Sequence, residues 1–376
     1  MAAKQSHTGP VSDPPRGSHQ LRTLQLRDLH AAAGARFVGF AGWEMPLQYT
    51  GAIKEHQTTR EAAGLFDVSH LGRVTIEGDG ATAQLRSVTT FDIAKVRPGR
   101  AQYTLYCNSA GGIEDDVLVY RLEPERWLVI HNAANADAGF ARLRKIMPNR
   151  AQHVTESTAM LAIQGPLALP LLGRVVNKPL SELPRFGCLE VTWAGRSLVV
   201  ARTGYTGEDG AECILEPSAA EDLWNSLVDA GATPVGIGAR DTLRLEAALP
   251  LHGSDIDAST NPFEAGLRWA VSLEDGADFT GRTTLRELSE RMPERALAHL
   301  RTEGRAVLRP GYSIEADKEP VGTFTSGTFS PTLGYGIGMA YLPLMFASSG
   351  TILASIVRGK PVPVEVVPRP FYRRPS

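Results

Sequence analysis

The amino-acid sequence predicts a mixed α+β fold that is followed by a separate all-β domain. Short segments of alternating polar and apolar residues, typical of strands, are interspersed with segments whose apolar residues recur every three or four positions, as in helices. Beyond about Leu288 the helical spacing fades, and short apolar stretches alternate with Gly and Pro turns. The length of 376 residues, with 43% hydrophobic and 21% charged residues, suffices for two or three cores.

The first 150 residues predict a small α+β sandwich that follows a short helix. Leu24, Leu26 and Leu29 have helical spacing, and Gly34 ends that helix. The elements predicted next are a strand at 73–77, a helix at 81–87, a hairpin of strands 101–107 and 116–122, a strand at 127–131 and a helix at 136–147. Several strands accompanied by two helices are typical of a sheet with helices on one face.

The second half predicts another hairpin, two helices and the all-β domain. The hairpin strands are 197–203 and 211–215, around the glycine-rich loop 204–210. Helices are predicted at 219–230, ended by Gly231, and at 241–249, ended near Pro250. The strands predicted in the last domain are 321–325, 337–341, 352–357 and 362–367, which suit a barrel or a sandwich.

Charge and composition exclude several classes of function. The 39 Lys and Arg against 41 Asp and Glu leave a net charge of −2, so we expect binding neither to nucleic acid nor to a membrane. No apolar run approaches the ~18 residues that span a bilayer. Residues 1–20 are polar and predict a disordered tail without a secretion signal, which favours the cytoplasm, or the mitochondrial matrix if the tail is a transit peptide.

The cysteines predict neither a disulfide framework nor a metal site. Cys107, Cys188 and Cys213 are widely spaced, and no His pair lies near them at zinc-ligand spacing. We therefore expect reduced, buried thiols. The sequence also lacks the motifs of triad hydrolases, zinc peptidases and P-loop proteins.

Three consecutive acids are the first candidates for chemistry. Glu114, Asp115 and Asp116 lie where the first hairpin turn leads into its second strand. Because successive side chains of a strand point to opposite faces, Asp115 and Asp116 are expected to diverge rather than share a proton. One of them should be solvated and the other should face whatever the sheet covers. The alternative is that both are exposed hairpin residues.

Neighbouring polar residues can complete a pocket around Asp116. Tyr103 lies on the partner strand and Asn132 at the end of the next one, although an aromatic packed in the sheet and a helix cap explain them equally well. Glu212 is either solvated or directed into a pocket, since alternation separates it from Cys213. Arg240 shares a helical stripe with apolar residues, which indicates a carboxylate or ligand anion nearby, or a surface ion pair.

The sequence resembles the aminomethyltransferase family, the T-proteins of the glycine cleavage system, over nearly its whole length after residue 21. The matching runs, in order, are FAGWEMP (40–46), GLFDVSH (64–70), GGI (111–113) with the Asp pair at 115–116, RTGYTGEDG (202–210), GARD (238–241), NPFE (261–264) and SGTFSPTL (326–333). Four positions depart from the usual pattern of the family, namely Leu71, Glu114, His131 and His252.

The resemblance implies a three-domain cloverleaf of two α+β domains, one of them ferredoxin-like, and a C-terminal β-barrel or jelly-roll-like domain. The implied boundaries are 21–67 with 157–285 for the first domain, 68–156 for the ferredoxin-like domain and 290–376 for the barrel. It also implies tetrahydrofolate as the acceptor substrate, without a metal, and the lipoylated H-protein as the partner that brings the aminomethyl group. The P- and L-proteins of the same system would be indirect partners.

The same resemblance assigns roles to individual residues. Asp116 would be the catalytic acid beside the folate nitrogens that receive the carbon, in agreement with the expectation that only one acid faces the pocket. At its reference pKa near 3.9 it would be ionised at pH 7. The residues that would bind the folate are Tyr103, Asn132, Tyr205, Glu212, Arg240, Phe371 and Tyr372.

Two other functions are compatible with such a fold. One is a folate-dependent demethylase of another methyl donor, whose methylamine-oxidising relatives carry an additional flavin domain that 376 residues cannot hold. The other is a non-catalytic folate-binding accessory protein. Such relatives have a glycine-rich Cys motif and lack the catalytic acid, whereas this sequence has Asp116 and no such motif.

Overall fold

Two facing β-sheets and one closed β-barrel contain most of the strands of the chain. The structure, a computed structural model, describes residues 20–274 and 278–374. The predicted tail of residues 1–20 therefore lies outside the described residues, except for Gln20. No helix in the described ranges is long and apolar enough to cross a membrane.

The elements follow one another along the chain in four groups. The first group is β1 (Arg22–Thr23), α1 (Arg27–Ala32), β2 (Arg36–Phe40), β3 (Trp43–Gln48), α2 (Ala52–Glu61) and β4 (Gly64–Asp67). The second is β5 (Gly72–Glu77), α3 (Ala81–Arg86), β6 (Arg100–Cys107), β7 (Ile113–Glu123), β8 (Arg126–His131), α4 (Ala136–Ile146) and β9 (Ala151–His153). The third is β10 (Ala159–Gln164), α5 (Ala168–Val176), β11 (Cys188–Trp193), β12 (Arg196–Ala201), β13 (Gly210–Leu215), α6 (Pro217–Asp229), β14 (Thr233–Pro234) and α7 (Ile237–Glu246). The last is α8 (Arg282–Ser289), β15 (Arg295–Thr302), β16 (Ser313–Ala316), β17 (Glu319–Phe329), β18 (Gly336–Pro343), β19 (Ile352–Val357) and β20 (Lys360–Val367).

The second group forms a five-stranded antiparallel sheet in the order β6-β7-β8-β5-β9. One face packs against α3 and α4, where Leu85 and Leu143 contact a core that includes Val119 and Trp127. The α+β sandwich predicted for this region is thus confirmed. Tyr120 lies on the opposite face, which is also buried.

A six-stranded sheet in the order β11-β12-β13-β10-β4-β14 covers that opposite face. Its outer face packs against α5 and α6 through residues such as Leu172 and Trp224. Its inner face contributes Ala162 and Ile214 to one core with Tyr120 and Leu128 of the five-stranded sheet. Helix α7 packs into the same core through Leu243. The chain enters this sheet with β4, leaves it for the five-stranded sheet, and returns with β10, which pairs with β4.

The last six strands close into a barrel in the order β15-β18-β17-β16-β19-β20, and β20 pairs with β15. Leu300, Phe324 and Leu342 fill its interior. The all-β domain is therefore confirmed as a barrel rather than a sandwich. The prediction contained only four of its strands, because β15 and β16 carry Arg, His and Glu residues that weaken the apolar pattern.

Two predicted boundaries are wrong near the residues of interest. Strand β7 begins at Ile113, three residues before the predicted start, so Asp115 belongs to the ladder and lies opposite Tyr106. Helix α7 begins at Ile237, four residues before the predicted start. The start of this helix packs closely on β3, since a Cβ on Gly236 would lie 2.2 Å from the Leu47 carbonyl oxygen. Tertiary contacts override local propensity at both places.

The packing of α5 yields a test of the outer core. Leu172 is 0% exposed and Leu167, just before the helix, is 50% exposed. We expect Leu172→Ala to lower the free energy of unfolding by about 2–5 kcal/mol, because it leaves a cavity against the six-stranded sheet. The matched Leu167→Ala change should cost less than about 1 kcal/mol. Urea denaturation followed by circular dichroism measures both, and equal costs would contradict the described packing.

Candidate functional site

Asp116 lies where the five-stranded sheet faces the six-stranded one. On β7 it is opposite Leu105 of β6, and Tyr103, two residues along β6, points to the same face. The Tyr103 hydroxyl donates a hydrogen bond to Asp116 Oδ2 over 3.0 Å. The structure therefore brings together two of the residues that the sequence suggested as neighbours.

Asn132 connects the two adjacent acids. It follows β8 directly, and its side-chain Nδ2 lies 2.7 Å from Asp116 Oδ1, 2.8 Å from Asp115 Oδ1 and 3.0 Å from the Asp116 carbonyl oxygen. An amide NH₂ has only two protons, so these three acceptors share them. The position of Asn132 thus fixes both carboxylates at once.

The expectation that one of the two acids is solvated is wrong. Asp115 is 2% exposed, because the His131 side chain and the segment leading into α4 lie against it. Its carboxylate accepts hydrogen bonds from Asn132 and from Asn135 Nδ2, over 2.8 Å, and lies 3.0 Å from His131 Nδ1. Asp115 and Asp116 point to opposite faces of the sheet, as expected, but neither side chain is exposed to bulk water.

This arrangement raises the pKa of Asp116 from its ordinary value to about 6. The largest cause is removal of the carboxyl from water, and the negative charge of Asp115 adds to it, while His252 and the hydrogen bonds from Tyr103 and Asn132 act in the opposite direction. The pKa of Asp116 thus lies above the reference value near 3.9, and the carboxyl is still mostly ionised at pH 7, as expected from the sequence. A carboxylate that is mostly ionised at pH 7 and yet readily protonated can hold a cation or accept a proton.

Glu212 lies on the six-stranded sheet, and its side chain points toward the five-stranded sheet that carries Asp116. It lies on β13, is 3% exposed, and its Oε2 accepts hydrogen bonds from Tyr120 of β7, over 2.9 Å, and from Thr203. Both hydrogen bonds described for this side chain end on Oε2, so Oε1 keeps its capacity to accept. Of the two alternatives left by the sequence, the structure supports the inward orientation.

Arg240 contributes a cation from the first turn of α7. Its guanidinium carbon lies 4.8 Å from the centre of the Tyr205 ring, and its Nη1 is buried without a hydrogen-bond partner among the described residues. Burial lowers the pKa of Arg240, and the charge of Glu212 opposes this effect. A buried guanidinium donor without an acceptor is costly, so the position suits a ligand that brings a carbonyl or anionic oxygen.

An exposed tryptophan that the sequence did not single out borders the site. Trp269 is 55% exposed, and its ring centre lies 5.1 Å from that of Tyr103 at an angle of 30°. The two rings lie in a cleft of about 710 Å³ that Phe91, Arg100 and Phe186 also line. The segment around Trp269 shows no strand or helix periodicity, so only its exposed aromatic side chain identifies it.

Two further side chains beyond the predicted set, Asn135 and His252, contact the acids or their partners. Asn135 Nδ2 lies 3.0 Å from His252 Nδ1 as well as against Asp115, and His252 Nε2 lies 3.1 Å from the Ile113 carbonyl oxygen. Both His131 and His252, two of the departures from the family pattern, thus touch the acid cluster or its direct partners. No local pattern predicts the contacts of His252, because they join segments more than 100 residues apart.

Phe371 and Tyr372 lie elsewhere, between the barrel and α7. Phe371 packs with Leu245 and Ile337, and its ring centre is 5.6 Å from that of His299. Tyr372 lies under the guanidinium of Arg60. The contacts described for these two aromatic residues do not include the other predicted site residues, so their proposed contact with folate stays a prediction.

Comparisons with known proteins identify the family. The GCVT N-terminal domain matches residues 26–275, and the glycine cleavage T-protein C-terminal barrel domain matches residues 295–373. The chain belongs to the glycine cleavage T-protein family. It is 46% identical to the aminomethyltransferase of Synechococcus sp. (strain CC9902), over 94% of this chain and 100% of that protein. It is 45% identical to that of Rubrobacter xylanophilus, over 94% and 95%.

A solved structure agrees with this assignment to the T-proteins. The glycine cleavage system aminomethyltransferase T from Bartonella henselae superposes with a TM-score of 0.89 at 36% identity, covering 94% of this chain and 99% of that one. The predicted fold class, with two α+β parts and a C-terminal barrel, is confirmed, and so is the resemblance on which it depended.

The hydrogen bond from Tyr103 yields a test of the electrostatics of Asp116. Tyr103→Phe removes a donor that favours the ionised carboxylate, so the pKa of Asp116 should rise above about 6, by about one pH unit for a hydrogen bond worth ~1.5 kcal/mol. Carbon-13 NMR titration of protein labelled at aspartate carboxyls measures it, with Asp116→Asn to assign the signal. An unchanged or lower midpoint in the Phe variant would contradict the geometry.

Proposed function

We propose that this T-protein is an aminomethyltransferase that passes the one-carbon unit of an aminomethyl-dihydrolipoyl H-protein to tetrahydrofolate, giving methylene-tetrahydrofolate, ammonia and the dihydrolipoyl carrier. The observation that carries the proposal is the arrangement of three groups around one space. Asp116 is a half-buried carboxylate with a raised pKa on the five-stranded sheet, Glu212 on the six-stranded sheet has a free Oε1, and Arg240 on α7 has an Nη1 without a partner among the described residues. The charges of Asp116 and Arg240 both act on Tyr205, and the charge of Glu212 acts on Arg240.

The polar groups of the site match those of a reduced folate. A pterin presents an amino group and a ring N–H side by side, a pair of donors that suits the carboxylate of Glu212. Its ring carbonyl is an acceptor for Arg240, whose Nη1 has no partner among the described residues. Tyr205, stacked on that guanidinium, and Tyr103 supply flat apolar surfaces for the rings. Together these groups supply hydrogen bonds and stacking for the same ligand.

Asp116 acts on the reacting nitrogen atoms. Attack of a folate nitrogen on the aminomethyl carbon, with loss of ammonia, passes through cationic amine or iminium species, which an ionised carboxylate stabilises. At ~4 Å and an effective dielectric constant of ~20 a pair of unit charges gains about 4 kcal/mol. This corresponds to roughly a thousandfold in rate when the gain is specific to the transition state. The raised pKa also equips Asp116 to take the proton that the attacking amine loses.

Tyr103 and Asn132 support this role by position. Both donate to the Asp116 carboxylate, which fixes its direction and keeps it largely ionised near neutral pH. Asp115 is turned to the other face of the sheet and raises the pKa of its neighbour through its charge. We therefore assign the direct catalytic role to Asp116 alone and a positioning role to Asn132.

The carrier and the cellular setting are part of the proposal. The aminomethyl group would arrive on the lipoyl arm of the H-protein, and the P- and L-proteins would act before and after this step on the same carrier. We propose the cytoplasm as the setting of this reaction.

The test is a reconstituted transfer assay. Purified protein is mixed with aminomethyl-loaded, lipoylated H-protein and tetrahydrofolate, and methylene-tetrahydrofolate and ammonia are measured. We expect Asp116→Asn to lower kcat by about a thousandfold and the Kd for tetrahydrofolate to change by less than about threefold. Glu212→Gln should mainly raise that Kd. No folate-dependent product with wild-type protein would exclude the proposed function.

The pH profile of kcat/KM distinguishes the titration of Asp116 from the titration of groups on the substrates. Because the pKa of Asp116 is raised to about 6 and its ionised form is the active one, activity should be full at pH 8 and fall as pH drops through about 6. In Asp116→Asn the residual activity should lose this acid limb. An acid limb that persists unchanged in the variant would assign it to another group.

A further inference from the structure

Arg60, at the end of α2, uses all five of its N–H donors on neighbouring segments of the chain. Its Nε and Nη2 donate to Glu246 Oε2 over 3.1 and 2.8 Å, and Nη2 also reaches the Leu243 carbonyl oxygen at 3.3 Å. Its Nη1 donates to the Thr206 carbonyl oxygen and to Glu208 Oε1, both over 2.8 Å. The side chain is only 6% exposed.

The end of the chain closes over this guanidinium. The Arg60 Cζ lies 4.1 Å from the centre of the Tyr372 ring, and the Tyr372 backbone N–H donates to the Glu246 carbonyl oxygen over 2.9 Å. The same carboxylate, Glu246, also contacts His56 and Thr332, so helices α2 and α7 and the barrel meet at one ion cluster. Arg60 stands at its centre.

Two of the segments held by Arg60 carry residues of the folate site. Thr206 follows Tyr205 in the glycine-rich loop, and Leu243 lies one turn after Arg240 on α7. Tyr205 and Arg240 in turn stack on each other at 4.8 Å. Because Arg60 bonds to backbone carbonyls of both segments, it sets the spacing between the loop and the helix at which this stacking forms.

We propose that Arg60 is a positioning residue for folate binding: it holds the Tyr205 loop against α7, so that the Tyr205 ring and the Arg240 guanidinium present one fixed surface to the ligand. This inference rests on the proposed function, since it gives Tyr205 and Arg240 their role. Arg60 itself is not assigned any contact with the ligand.

The effect is confined to binding because the catalytic acid is held independently. Asp116 is fixed by Tyr103 on β6 and by Asn132 after β8, on the other sheet, and Arg60 contacts neither of them. Loss of Arg60 should therefore weaken ground-state and transition-state binding alike, which raises KM for folate and leaves kcat nearly unchanged.

Lysine cannot replace this guanidinium. An ammonium group has three donors at one point, whereas the acceptors of Arg60 are arranged around the edge of a planar group whose face lies against the Tyr372 ring. Arg60→Lys keeps the charge that the carboxylates of Glu208 and Glu246 require, but it loses the simultaneous bonds to the loop and the helix.

Arg73 provides a matched control. It is fully buried, and its donors bond to Ser69, Leu71, Thr155 and Thr158, far along the chain from the glycine-rich loop and α7. Arg73→Lys should lower the melting temperature, as Arg60→Lys does, without changing the Tyr205 loop. A second test variant, Glu208→Gln, keeps the shape of the cluster and removes one charge, so it serves if Arg60→Lys does not fold.

The experiment measures tetrahydrofolate binding by calorimetry and kcat and KM in the transfer assay, at a temperature at which every variant is folded. Arg60→Lys should raise Kd and KM for tetrahydrofolate by about tenfold, and Glu208→Gln by about threefold, with kcat and KM for H-protein within about twofold of wild type. Hydrogen exchange in residues 203–210 should become faster in both variants and stay unchanged in Arg73→Lys.

The outcomes separate this inference from the proposed function. A wild-type protein that does not bind tetrahydrofolate would overturn both. Wild-type binding with an unchanged Kd in folded Arg60→Lys, or in Glu208→Gln if the former does not fold, would overturn the inference alone. An equal rise of Kd in Arg73→Lys would do the same, because it would show a general effect of destabilisation.

Discussion

The structure depends on the burial of one face of the five-stranded sheet against one face of the six-stranded sheet. Tyr120 and Leu128 from one sheet and Ala162 and Ile214 from the other fill this layer, and removal of such apolar surface from water stabilises it by about 25 cal/mol per Å². Polar groups within the layer are stable only with partners. The hydrogen bond from the Tyr120 hydroxyl to Glu212, which joins the two sheets, meets that requirement.

The same burial gives the site its chemistry. Asp116 is removed from water at the edge of this layer, which raises its pKa to about 6, and Tyr103 and Asn132 stabilise its ionised form without restoring the ordinary value. Across the layer, Arg240 is buried with a donor that no described residue satisfies. The scaffold thus tolerates incomplete hydrogen bonding at a position where a ligand can complete it, whereas the buried Arg73 bonds through all three of its side-chain nitrogen atoms.

The sequence was sufficient to predict which side chains of a strand point to opposite faces of the sheet. The separation of Asp115 from Asp116 and of Glu212 from Cys213 follows from a period of two residues, so both could be read from the sequence. The burial of Asp115 could not, because Asn135 and the start of α4 cover it only after β7 and β8 have paired. The pairing of β4 with β10 joins segments some 95 residues apart, and the stacking of Trp269 on Tyr103 joins segments more than 160 apart, which no local pattern encodes. The family resemblance supplied the candidate residues, and their mutual geometry came from the fold.

The central claim is that one folate molecule bridges the two sheets, with Glu212 and Arg240 at its pterin and Asp116 at its reacting nitrogen atoms. A crystal structure of the protein with bound tetrahydrofolate tests this most directly. The account predicts the pterin amino edge within hydrogen-bond distance of Glu212 Oε1, the ring carbonyl at Arg240 Nη1, and the Asp116 carboxylate beside the nitrogen atoms that receive the carbon. Folate bound elsewhere, for example in the barrel-side cleft lined by Arg295 and Tyr341, with Arg240 Nη1 still unpaired, would contradict it.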